Sequence, residues 1–447
     1  MTKKTPLACV ILTAGQGKRM KSALPKVLHE IAGQAMIRWL LRSVEELSPD
    51  KIIVVTAPGA QGVAEAVRPH ETAVQQKPMG TGDAVKAALP HLNGFDGDVL
   101  ILLGDMPLLS AGMMQALIET RQHDKDTGVA VLGVEYKNPP AFGRLVMNAD
   151  KTLQKIVEDR DATAEERAIK LCNTGAFCVH GAKLGAWLEE LGSNNAQGEF
   201  YITDLPQIAA KDGFKSRVCT LYDAEEVLGV NSRADLSLVE AAVQKRLRKK
   251  AMENGATLTD PNSVFFSYDT VLGRDVEIGP NVVFGPGVVV ADNVQILPFC
   301  HLEGARIESG CSVGPFARLR PGTHLRGKTK IGNFVEIKNA TLHEGVKAGH
   351  LSYIGDADVG AGVNFSCGAI TANYDGFKKH KTIIGDNVMV GSNVNLIAPV
   401  TIGKGAYIAA GSTVTKDVPG DALAVSRGET RIIEGWAEKN RQKKSVK

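Results

Sequence analysis

VEIGPNVVFGPGVVVADNVQILPFCHL, residues 276–302, carries an apolar residue at every sixth position: Ile278, Phe284, Val290, Ile296 and Leu302. Small or β-branched residues follow four positions later, at Val282, Val288 and Val294. Neither an α-helix, with its period of 3.6, nor a strand, with its period of 2, repeats on six. A six-residue period is that of a parallel β-helix, three repeats to a coil, in which each apolar residue points into a triangular prism. After a one-residue slip it continues through Ile307, Val313, Leu319, Leu325, Ile331 and Ile337. It returns as Ile384, Val390, Leu396, Ile402, Ile408 and Val414. The fold expected is a left-handed parallel β-helix of hexapeptide repeats, interrupted at 373–382 by the polar insertion NYDGFKKHKT. Insertions of this kind map to a loop on one face of a solenoid, often the binding face.

Towards the N-terminus the period changes. Leu236, Val239, Val243 and Leu247 within 233–253 have helical spacing and predict one connecting helix ending near Gly255. Its basic run, Lys245 to Lys250, reads as a solvated face. Before residue 230 the chain alternates continuous apolar runs, ACVIL (8–12), KIIVVTA (51–57) and DVLILLGD (98–105), with helical patterns at 36–47 and 83–92. Such runs are strands buried on both faces, so a doubly wound, Rossmann-like α/β domain is expected, with ligands outside the carboxyl ends of its strands. The boundaries expected are a domain at 1–230, a linker helix at 231–254 and a β-helix domain at 255–447 with a flexible tail. Both ends, 1–6 and 436–447, are expected to be unstructured.

Composition narrows the function. Apolar content of 44% and charged content of 23% describe a soluble globular protein, and no apolar stretch approaches the length of a membrane span. A net charge of +3 gives no nucleic-acid footprint. The apolar start MTKKTPLACVIL breaks at Thr13-Ala14-Gly15, which argues against a cleaved signal. Seven cysteines without CxxC pairs suit a reducing cytoplasm and argue against a zinc site or disulfide framework.

The loop after the first strand, VILTAGQGKRMKSALPK (10–26), fits neither common phosphate template. A third glycine for G-x-G-x-x-G is missing, and one residue separates Gly15 from Gly17 where a Walker loop has four. What remains is a tight glycine turn whose backbone N–H groups can approach an anion, with Lys18, Arg19 and Lys26 around it. L-x-x-G-x-G-x-x-M followed by Pro25-Lys26 resembles the signature of sugar-nucleotide pyrophosphorylases, which join an NTP to a sugar 1-phosphate. The resemblance continues in QQKPMGTGDA (75–84), LLGDMPL (102–108), FGRL, IVEDRDA, CNTGAF and GVNSR. It implies that Leu12, Ala14, Gly15, Lys26, Gln75, Gly80, Thr81, Leu103, Gly104 and Asp105 contact UTP, with Gln75 reading uracil. It also implies that Gly143, Glu158, Asn173 and Asn231 contact the sugar or the metal, with Mg²⁺ held by Asp105 and Asn231. Arg19 and Lys26 would act catalytically by offsetting phosphate charge.

In the β-helix, FARLRPG (316–322), VEIKNA (335–340), AGHLSYIGDADVG (348–360) and TANYDG (371–376) are less regular than the repeats around them. An amine cannot attack a thioester while protonated, so acetyl transfer needs a base near neutrality, most often His, and His350 is the candidate. Taken with the first half, residues 8 to about 436 resemble the bacterial family of bifunctional N-acetylglucosamine-1-phosphate uridylyltransferases and glucosamine-1-phosphate N-acetyltransferases, which supply UDP-N-acetylglucosamine for peptidoglycan and lipopolysaccharide. The resemblance implies His350 as base, with Arg320, Lys338, Tyr353 and Asn364 on the amino-sugar phosphate. Cys367, Tyr374, Ser392, Ala410 and Arg427 would contact acetyl-CoA, and Asn373 would contact either substrate. A homotrimer with acetyl-transfer sites between subunits is also implied. NFSCGAI (364–370) departs from the family's N-I-G-A-G-T-I and places the Cys367 thiol where a small alanine is usual. Two other readings stay open: a single-activity pyrophosphorylase whose β-helix only regulates or assembles, and a nucleotide sensor without turnover.

Overall fold

The computed structural model describes residues 5–444, apart from 16, 222 and 223. The chain divides into two compact units, 1–245 and 246–447. The long helix Arg233–Glu253 crosses this division, so its two ends belong to different units. Its buried residues include Val239 and Val243, as the helical spacing predicts.

The first unit is built on a sheet whose strands follow the order Lys215–Leu221, Thr127–Glu135, Leu171–His180, Asp98–Leu103, Leu7–Leu12, Lys51–Thr56 and Glu71–Val74. All run parallel except Leu171–His180, which is antiparallel to both neighbours. Alternate residues feed two cores. Val10, Ile53, Val99 and Phe177 pack on one side of the sheet, and Cys9, Ile11, Leu100 and Cys178 on the other. Burial on both faces is why these strands read as unbroken apolar runs. The chain lays successive strands to one side of Leu7–Leu12, then returns to place Asp98–Leu103 on its other side. That reversal opens a crevice beyond the carboxyl ends of the two central strands, Leu12 and Leu103, which are register partners.

In the second unit Glu277 pairs with Gln295, Gln295 with Ser312 and Ser312 with Lys330, steps of 18, 17 and 18 residues. Three hexapeptides therefore make one coil. Every residue of the sixfold series from Ile278 to Val414 is buried. The residues four positions later, such as Val282, Val288, Val294 and Cys300, are buried with them and close the corners of the prism. Beyond Asn364 the step to Met389 is 25 residues, because the insertion loops out between Ala372 and Thr382 with Tyr374 and Lys379 bridged across it.

One expectation fails. Residues 436–444 form an α-helix rather than an unstructured end. WAEKNRQKK has no apolar face, but Ala, Glu, Lys, Gln and Arg are strong helix formers, Glu438 sits in the favourable first turn, and Gln442 donates to Glu438 one turn back. Residues 1–4 and 445–447 lie outside the described residues.

Candidate active sites

The first site lies in the crevice at the sheet's reversal point. A cavity of 330 Å³ is lined there by Leu12, Ala14, Gly15, Lys26, Gln75, Gly80, Thr81, Leu103 and Asp105. An adjoining cavity of 220 Å³ shares Leu12, Thr81, Leu103 and Asp105 and adds Gly143, Glu158, Asn173 and Asn231. A Cβ on Gly15 would meet nothing within 4 Å, so the protein does not itself demand glycine here; the missing side chain leaves room over the cavity. Gly104 acts from behind, its N–H donating to the Leu12 carbonyl at 2.9 Å and joining the two central strands. Arg19 does not line either cavity; it is exposed on the short helical turn Lys18–Met20 beside the glycine loop.

Three polar side chains converge between the cavities. The Lys26 ammonium contacts the Asp105 carboxylate and donates to Asn231 Oδ1 at 3.1 Å. Asp105 and Asn231 thus aim oxygen donors at a single cation position, and the position now carries the lysine's charge. Hard oxygen donors of this kind suit a divalent cation that also binds substrate phosphates. Among the described residues no group of three or more His, Cys, Asp or Glu forms a metal cage, so phosphates and water must complete any shell.

Specificity groups surround this centre. Gln75, buried, donates through Nε2 to the Asp83 carboxylate at 2.7 Å and to the Gly80 carbonyl at 3.0 Å. Both donors are thereby spent, which leaves Oε1 to accept from an imide N–H such as that of uracil. Asp83 was not legible in the sequence, because its role depends on the first turn of Thr81–Ala88 folding back over Gln75. Thr203 donates to Glu158 at 3.2 Å, and burial pushes the Glu158 carboxyl above its ordinary range, with Asp161 and Asp204 adding to the rise. Asn173 lines the cavity while its Oδ1 accepts from the Gly175 N–H at 3.0 Å, so its local turn and its place in the site coexist. A larger hollow of 550 Å³ lies at the amino ends of the strands, beside Leu7 and Asp98. Asp98 is already met there by Arg121 and by Gln122 at 2.6 Å, and α/β ligands sit at the opposite end.

The second site runs along the β-helix surface. Arg320 donates to Glu336 at 2.7 Å. Contact with the Lys379 ammonium, reinforced by its charge and by that of Arg320, holds the Lys338 amine below its ordinary value. Three cations gathered around one carboxylate form a site short of negative charge, which a sugar phosphate would supply. Lys379 escaped sequence reasoning because it lies in the insertion, and only the folded loop returns it to Lys338. Asn373 donates to Tyr353 Oη at 3.4 Å and to Asp356, so it sits with the sugar-phosphate residues. Asn364 donates to Ser366 Oγ at 3.2 Å and to the Met389 sulfur. Tyr374 is exposed in the insertion and donates to the Gly376 carbonyl at 2.6 Å.

His350, Cys367, Ser392, Ala410 and Arg427 are separated by 17, 25, 18 and 17 residues, one step for each successive coil. Backbone bonds Asn393 N–H to Cys367 O and Gly411 N–H to Ser392 O link these coils, and Arg427 Nη1 donates to Ala410 O at 2.9 Å. At roughly 4.8 Å per coil, the column spans about 19 Å. That length suits an extended pantetheine arm.

Fold and sites together define a nucleotidyltransferase joined to a hexapeptide acyltransferase. Residues 9–169 match the MobA-like NTP transferase domain, and residues 269–304 and 381–416 match bacterial transferase hexapeptide repeats. Bifunctional protein GlmU of Rhodospirillum rubrum is 51% identical over 439 residues, 98% of each chain. That of Paramagnetospirillum magneticum is 48% identical over 99% of this chain and 98% of its own. That of Zymomonas mobilis is 46% identical over the whole of both. The chain belongs to the bifunctional GlmU family: it is an enzyme with a uridylyltransferase and an acetyltransferase half, and it serves UDP-N-acetylglucosamine synthesis.

Proposed function

We propose that the two reactions run in sequence on the residues described, acetyl transfer in the β-helix and uridylyl transfer in the α/β domain. The observation that carries this reading is the column from His350 to Arg427, which sets a base at one end of a cofactor-length track beside a cationic phosphate cradle. His350 takes a proton from the glucosamine-1-phosphate amine as the nitrogen attacks the thioester carbonyl. The C–N bond forms, the C–S bond breaks, and CoA leaves as the thiolate. Arg320, Lys338 and Lys379 hold the phosphate, and Tyr353 and Asn373 orient the sugar.

The acetylated sugar phosphate then attacks the α-phosphorus of UTP in line and releases pyrophosphate. This reaction needs positioning and charge neutralisation more than covalent chemistry. Gln75, held by Asp83, reads uracil; Gly143, Glu158 and Asn173 receive the sugar; Arg19 and Lys26 offset phosphate charge. Asp105 and Asn231 would hold Mg²⁺, which supplies further neutralisation of the phosphates when bound.

The active form is proposed to be a homotrimer. Phe299, Phe316 and Phe334 stack in a ladder at 4.8 and 5.2 Å, and Leu351 continues it beside His350. These four residues are 44–56% exposed, an apolar strip that a second copy would cover. A cytoplasmic location fits seven free cysteines, and no described helix is long and apolar enough to cross a membrane.

The test is a substrate matrix on the purified protein with Mg²⁺, following CoA release from glucosamine-1-phosphate and acetyl-CoA, and pyrophosphate release from N-acetylglucosamine-1-phosphate and UTP. Both products are expected, from a particle of three chains by mass measurement. Absence of CoA would leave the β-helix as an assembly element, and an active single chain would remove the trimer.

Cys367 adds a property of its own. Its thiol is partly exposed next to His350 in the column, where the family usually has alanine. Alkylation is expected to inhibit acetyl transfer, and acetyl-CoA to protect against it. Full acetyl transfer with Cys367 shown by mass to be modified would sink this idea.

A further inference from the structure

The strand Lys330–Asn333 pairs in parallel with Lys347–His350, and Asn333 lies directly across from His350. The coils meet closely: a Cβ on Gly332 would fall 1.9 Å from the Gly349 carbonyl oxygen, so only glycine admits this approach. The Leu351 N–H donates to the Asn333 carbonyl at 3.0 Å, fixing the backbone on both sides. Across this junction Asn333 Oδ1 lies 2.8 Å from His350 Nδ1. An amide oxygen can only accept, so Nδ1 must carry the proton and Nε2 must present its lone pair. The imidazole is otherwise exposed and makes no ion pair among the described residues.

From this junction we infer that Asn333 is the positioning residue of acetyl transfer, holding His350 in the tautomer and ring orientation that leave Nε2 free to take the amine proton. The inference rests on His350 being the base. Asn333 does not touch substrate; it acts through the imidazole. Without it an exposed ring can turn and exchange tautomers, and only a fraction of molecules present the lone pair correctly.

The charged groups on the strands packed around His350 are Lys330 on the preceding coil and Lys347 on its own strand, which lie opposite each other at the far end of the pairing. The following coil presents Asn364, Phe365, Ser366 and Cys367, with no charge. A carboxylate at position 333 would therefore be the one anion facing the ring from these three strands.

The experiment measures acetyl transfer against pH for the full-length wild type, Asn333→Ala, Asn333→Asp and His350→Ala, with uridylyl transfer by the same preparations as a control. Asn333→Ala is expected to lower kcat about 10- to 100-fold, part of what a positioned base supplies, with KM values changed less than about twofold. Asn333→Asp keeps the acceptor in place and adds a charge that favours imidazolium. It is expected to keep most of the rate while the acid limb of kcat/KM moves up by about one pH unit. A merely structural asparagine would not move that limb. If Asn333→Ala does not fold, the isosteric Asn333→Asp profile decides alone. Wild-type rates with an unmoved limb in the Asn333 variants, while His350→Ala is inactive, would overturn the role of Asn333. Retained activity in His350→Ala would overturn the base assignment itself.

Discussion

Acetyl transfer by the His350→Ala protein is expected to fall by about 10²–10⁴-fold, the share of the rate that a positioned general base contributes. Pyrophosphate release by the same preparation should stay at the wild-type level. The reason is geometric. His350 lies at the exposed end of the strand Lys347–His350 and contributes nothing to the apolar interior, which is filled at that coil by Val346 and Ala348. Removing the ring leaves the prism packed, and the loss should appear in kcat. The phosphate cradle of Arg320, Lys338 and Lys379 is untouched, so the KM for glucosamine-1-phosphate should change little. A His350→Ala protein within tenfold of the wild-type kcat would mean that the amine loses its proton to another group.

The complementary expectation concerns Asp105→Asn. Uridylyl transfer should fall by about 10²–10⁴-fold, which corresponds to roughly 3–5 kcal/mol of lost charge stabilisation at the phosphates. Acetyl transfer should be unaffected. Asparagine keeps the shape of the side chain but not its charge, and two things change at once. A divalent cation loses its one anionic protein donor, and Lys26 loses the carboxylate that draws its ammonium to this position. The apparent affinity for Mg²⁺ in the presence of UTP should weaken, so part of the rate should return at high metal concentration. Near-wild-type uridylyl transfer at ordinary Mg²⁺ would show that the cation is held without Asp105.

Together the two substitutions separate the halves: each should silence one reaction and spare the other. A pyrophosphorylase with a purely assembling β-helix predicts that only Asp105→Asn has an effect, because no CoA would appear even from wild type.

Much of the architecture was legible because its determinants are local. A sixfold apolar period needs no long-range partner to declare itself, since each hexapeptide contributes its own inward residue, and the unbroken runs at 8–12, 51–57 and 98–105 announce strands covered on both sides. The C-terminal helix was misread for the opposite reason. Its helical tendency comes from composition, and a search for an apolar face finds none. The order of the sheet, with Leu171–His180 reversed between Asp98–Leu103 and Thr127–Glu135, left no mark on the sequence, because a strand buried on both faces reads the same in either direction.

The sites divide along the same line. Residue types, the glycine loop and the family motifs named most of the candidates from the sequence alone, since chemistry restricts which side chains can hold a phosphate or take a proton. Which of them meet was decided by tertiary structure. Lys26 reaches Asp105 across 79 residues and Asn231 across 205, and no periodicity links the three. Asp83 on Gln75, Lys379 on Lys338 and Asn333 on His350 are likewise contacts across a turn, an insertion and a coil. A coil of 17 residues rather than 18 changes which side chains stand opposite one another, and the 25-residue step past the insertion brings Ser392 into line with Cys367. The repeat sets the prism; coil length, which follows from closing each turn in three dimensions, sets the neighbours.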